Sequence, residues 1–111
     1  METEAEAPRS GRDDAAEDIA AGRLRYFWDI RGGWGRFCQD LMRSRFGVEI
    51  ESTSCFVNRE LSAYRAAYNS IIAAHVDQLF GHDAFGKACS EVEKFREQQY
   101  ADHFERKREA K

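Results

Sequence analysis

Residues 13–30, DDAAEDIAAGRLRYFWDI, decide the fold class, because they admit two readings. As one helix, Ile19, Arg23, Tyr26, Phe27 and Ile30 share a face at three- and four-residue spacing. The early carboxylates Asp13 and Asp14 suit the positive helix end. Gly32 and Gly33 then stop the helix by accepting the left-handed cap conformation. As a strand, Leu24, Tyr26, Trp28 and Ile30 alternate with mostly polar neighbours, and Phe27 breaks the alternation. The alanine-rich approach favours the helix, and with it an all-α protein.

Downstream, Trp34 to Phe46 reads as a second, shorter helix. Trp34, Phe37, Cys38, Leu41 and Met42 mark its inner side, and Gly47 stops it. Val48-Glu49-Ile50-Glu51 alternates, yet the run is short. It reads as a lead through Ser52, Thr53 and Ser54 into a long helix, N-capped by Asn58 or an upstream hydroxyl.

That long helix, Asn58 to Phe80, is apolar on most sides. Leu61, Tyr64, Tyr68, Ile71, Ile72, His75, Val76, Leu79 and Phe80 form a wide face. Ala63, Ala66, Ala67, Ser70, Ala73 and Ala74 fill much of the rest, so the helix expects neighbours on most sides. Gly81 closes it and Asp83 caps the next, whose stripe runs Phe85, Ala88, Cys89, Val92, Phe95, Gln99, His103 and Phe104. The tight turn predicts an antiparallel helical hairpin, with Tyr68, Ile72, Leu79, Phe85, Val92 and Phe95 between its arms. The expected architecture is a small all-α domain over residues 15–108: two short N-terminal helices packed on a long C-terminal antiparallel helical hairpin. Residues 1–14 read as a disordered acidic lead. Residues 1–18 hold seven carboxylates against Arg9 and Arg12, a net of −5.

With 111 residues, the chain has room for one domain. Its 42% apolar content supports folding, and eight Phe, four Tyr and two Trp supply core and interface anchors. A net charge of −3 argues against a general binder of nucleic acid or anionic membranes. No run approaches the roughly 18 apolar residues of a membrane span. The acidic N-terminus does not resemble a secretion signal, which leaves other export routes open. Cys38, Cys55 and Cys89 form no CxxC, and an odd count suits reduced thiols in a cytoplasmic setting.

Chemistry-bearing motifs are sparse. No HxxxH, HExxH or Glu-x-x-His unit occurs, so no metal or cofactor is expected. His75, near Cys89 or Glu93 across a hairpin, is the one spatial arrangement that reopens the metal question. Gly32-Gly33-Trp34-Gly35-Arg36 lacks the spacing of a phosphate loop. It reads as a helix break whose Trp34 docks on the core, with anion binding at a helix start as the alternative.

The strongest electrostatic feature lies in residues 19–48. Arg23, Arg25, Arg31, Arg36, Arg43 and Arg45 face only Asp29 and Asp40, a net of +4. Arginine suits bidentate contacts to carboxylate or phosphate. These residues predict a surface for an acidic protein partner, or a DNA- or RNA-facing helix carrying Arg36, Arg43 and Arg45. The favoured expectation is a non-enzymatic interaction module, a homodimer or a small structural or regulatory subunit of a larger assembly. Its candidate surface combines Arg25, Arg31, Trp34, Arg36, Arg43 and Arg45 with the alanine face at Ala63, Ala67 and Ala74.

Overall fold

The computed structural model describes residues 10–30, 32–53 and 58–109. In chain order it has α1 (Gly11–Ala20), β1 (Leu24–Trp28), α2 (Trp34–Phe46), β2 (Val48–Ser52), α3 (Arg59–Phe80) and α4 (Ala84–Glu109). The all-α expectation is thereby corrected. The protein is mostly helical, but β1 and β2 pair in parallel, with register from Leu24 opposite Val48 to Trp28 opposite Ser52. Parallel strands need a crossover, and α2 supplies it.

The reason lies at Gly22. Its φ of +76° places it in the left-handed region, just past the end of α1. Gly22 N donates to Ile19 O at 3.0 Å and Arg23 N donates to Asp18 O at 2.8 Å. Those two bonds make a Schellman cap. The helix therefore ends at Ala20, twelve residues before the glycine pair expected to stop it, and Leu24 onward extends as strand.

Phe27 breaks the alternation because β1 is covered on both faces, as parallel strands commonly are. On one face Tyr26 packs on Phe85, with ring centroids 4.7 Å apart, and Trp28 meets Trp34 at 6.1 Å. On the other, Phe27 sits edge-on to Tyr68 of α3 at 5.1 Å. β2 keeps the simple pattern: Val48 and Ile50 are buried, while Glu49 and Glu51 are exposed. Gly47 turns α2 into it with φ +70°.

The hairpin expectation is corrected in its packing. Each long helix has its own escort. Tyr64 and Tyr68 of α3 bond to Asp14 and Asp18 of α1, and Asn69 bonds to β1. α4 lies along α2, where Phe37 stacks on Phe95 at 4.1 Å and Arg45 pairs with Glu91. Near the turn, Asp77 Oδ1 accepts from Phe85 N at 3.0 Å, so a side chain of α3 caps the first turn of α4. Tyr68, Ile72, Phe85 and Val92 are buried as the periodicity predicts, while Phe95 is partly buried. Leu79 is 62% exposed, while Phe80 beside it makes the contact with Phe46, at 5.1 Å between ring centroids. Asn58 is the N-cap of α3, its side chain accepting from Leu61 N at 2.7 Å.

Candidate functional site

The arginines of the expected surface are spread over separate elements. Arg25, on β1, is partly buried between α1 and α3. Its Nη2 donates to Asp18 Oδ2 at 2.8 Å and its Nε to the Tyr68 hydroxyl at 3.3 Å. Tyr68 in turn donates to Asp18 at 2.5 Å. The Tyr68 hydroxyl, with Arg25 beside it, holds the Asp18 carboxyl below the usual carboxylate range against the opposing effect of burial. The Tyr64 hydroxyl is pushed up to about 12, chiefly by its hydrogen bond to Asp14.

Arg43 and Arg45 project from α2 in different directions. Arg43 makes a bidentate pair with Glu49 of β2, at 2.7 and 2.9 Å. Arg45 makes another with Glu91 of α4. Both arginines are exposed, yet their forks are already matched to carboxylates. Arg36 is exposed and lines a groove of about 500 Å³ with Gln39, Asp40 and Arg43. Arg31 lies outside the described residues. The alanine face is on α3: Ala63 and Ala74 are exposed and Ala67 is half-buried. Thus the sequence-derived residues do not gather into one patch.

Cys38 of α2 and Cys89 of α4 lie near enough for the charge of one to oppose ionisation of the other. Cys38 is buried and Cys89 half-buried, and burial pushes their thiols up to about 12 and about 11, away from the reactive thiolate. Cys55 lies outside the described residues. No group of three or more metal-ligating side chains occurs among the described residues. His75 is half-buried on α3, and His82 and His103 are exposed.

Trp34 leads to a different place. It is buried at the start of α2, with 4% of its surface exposed, and it docks on the core as expected. Its Nε1 is buried without a hydrogen-bond partner, as is Nε of Arg96, whose guanidinium lies 5.3 Å from the Trp34 ring and 5.6 Å from that of Tyr100. Beside it α4 continues past the start of α2 and projects from the core. The projecting stretch presents Tyr100 and Phe104, 49% and 61% exposed and one helical turn apart. The α4 periodicity includes Phe104, and the sequence places the start of α2 at Trp34, but nothing in it says how far along α4 that start falls. No protein family, curated protein or solved structure shows significant similarity to this chain. Among the described residues, no helix is long and apolar enough to cross a membrane.

Proposed function

We propose that this protein is a non-enzymatic interaction module that associates with a second copy of itself through the projecting end of α4. The observation that carries this reading is the pair Tyr100 and Phe104, exposed at i, i+4 on a helix that has left its own core. Aromatic side chains presented in this way are typical interface anchors. Two such ends laid antiparallel about a twofold axis set Tyr100 of each copy against Phe104 of the other, a closed arrangement. The arginine-rich segment gives a nucleic-acid reading little support. Arg25, Arg43 and Arg45 engage Asp18, Glu49 and Glu91, and so have less charge to offer a phosphate backbone.

Sedimentation equilibrium tests the reading. The chain should exceed its 12.8 kDa monomer mass at micromolar concentration. The double variant Tyr100→Ser, Phe104→Glu should return it to monomer without loss of helicity. A wild-type monomer throughout that range overturns the proposal. So does a dimer that survives the double variant; dissociation by Ala66→Arg instead would move the interface to the alanine face of α3.

A further inference from the structure

We propose that two ion pairs between copies, Glu97 of each with Lys107 of the other, set the antiparallel direction in which the projecting ends of α4 associate. This pairing rests on self-association through Tyr100 and Phe104 and names what orients it.

Glu97 lies three residues before Tyr100, and Lys107 lies three after Phe104, all on α4. At 3.6 residues per turn the four side chains fall within about 80° of arc, on one stripe about 15 Å long. All four are exposed. Tyr100 with Phe104, and Glu97 with Lys107, are both centred on position 102. A twofold axis that sets Tyr100 against Phe104 of a second copy therefore sets Glu97 against its Lys107 as well. The stripe is complementary to itself only when the copies run in opposite directions. Run in the same direction, Glu97 meets Glu97 and Lys107 meets Lys107, and facing like charges oppose association.

The neighbouring groups leave both charges available. No ion pair among the described residues engages Glu97 or Lys107. Glu93 and Arg96, the next charged pair along the stripe, engage each other at 3.6 Å. Asp102 stands about half a turn of the helix away from the stripe. There its Oδ1 accepts from Gln98 Nε2 at 3.0 Å, so two aspartates do not meet at the axis. The contacts of α4 with α2 through Glu91 and Phe95 precede the stripe. Antiparallel pairing thus carries the two cores to opposite ends of the paired helices.

The test is charge reversal in the full-length chain, read by sedimentation equilibrium at low ionic strength. Lys107→Glu replaces two attractions by two repulsions and should raise the dimer dissociation constant roughly ten-fold. Glu97→Lys should do the same. The double variant Glu97→Lys, Lys107→Glu should restore wild-type affinity, because the swapped charges match again. High ionic strength should shrink the differences among the four proteins, and circular dichroism should show equal helicity in all of them. A dimer that Tyr100→Ser, Phe104→Glu abolishes but that single reversals leave unchanged overturns the ion pairs and leaves the aromatic interface standing. Single reversals that weaken the dimer without restoration in the double variant also overturn the pairing. A wild-type chain that stays monomeric overturns both the pairing and the interface on which it rests.

Discussion

Asn69 holds Phe27 by both sides of its peptide unit. Its Oδ1 accepts from Phe27 N and its Nδ2 donates to Phe27 O, each at 2.8 Å. The side chain stands where another strand would lie, and so closes the outer edge of β1 against α3. Asn69→Leu should cost roughly 1–3 kcal/mol, because it leaves two strand groups without partners. Urea denaturation measures this, and a loss below about 0.5 kcal/mol would show that water replaces the amide freely.

The Asp18 cluster predicts an acid limb in stability. A carboxyl held below its ordinary pKa by the fold stabilises the fold fully above that ordinary value. The contribution is lost as pH falls through the depressed one. Asp18→Asn should lower stability at neutral pH and make the decline below about pH 4 shallower. Parallel stability curves for the two proteins would contradict this.

At the alkaline end the sign reverses. Tyr64 is held up to about 12 from an ordinary value of 10.0. Its bond to Asp14 is therefore fully effective below the ordinary value and fades as pH rises toward the higher one. Tyr64→Phe should lower stability at pH 8 and narrow its gap from wild type as pH approaches 12. Denaturant midpoints across that range provide the check.

Truncations distinguish the middle of α3 from its last turn. Ile72→Ala removes a fully buried side chain and should cost roughly 2–5 kcal/mol. Leu79→Ala, at a largely exposed position, should stay within about 0.5 kcal/mol of wild type. Equal losses would mean that Leu79 is covered in solution.

Two glycines test the ending and the docking of α1. Gly22 has open space around its Cα and φ +76°, so Gly22→Ala should cost about 1 kcal/mol from backbone strain alone. A Cβ on Gly11 would collide with the carbonyl oxygen of Tyr64 and lie 2.8 Å from Tyr68 N. Gly11→Ala should therefore cost more, about 1–3 kcal/mol, by pushing α1 off α3. Thermal unfolding of the two variants ranks them, and the reverse order would refute the packing argument.

Local signals were legible where a single residue sets the backbone. Asn58 caps α3 and Gly47 and Gly81 close helices, all as their residue types imply. Gly22 sends the same kind of signal, but the helical spacing of Ile19, Arg23, Tyr26 and Phe27 runs through it and masks it. Phe27 hides the strand because alternation presumes one wet face, and α3 covers the second. The site residues were harder to read for a different reason. Arg45 meets Glu91 across 46 positions and Asn69 meets Phe27 across 42. Nothing local to an arginine announces that its carboxylate is supplied by another element. The exposure of Tyr100 and Phe104 depends on where α4 outruns α2, a matter of relative placement rather than of motif.

One consequence follows from how α1 is attached. Gly11 and Ala15 are its buried residues and Ile19 is only partly covered, so the helix brings little apolar area to the interior. Much of its hold comes from two aspartate–tyrosine bonds. The first segment of the fold is thus latched by protons rather than by oil. Its amides should exchange with deuterium before those of β1, through a partial opening that leaves the rest folded. That opening should widen at both acidic and alkaline pH, where an Asp gains or a Tyr loses the hydrogen that makes the latch.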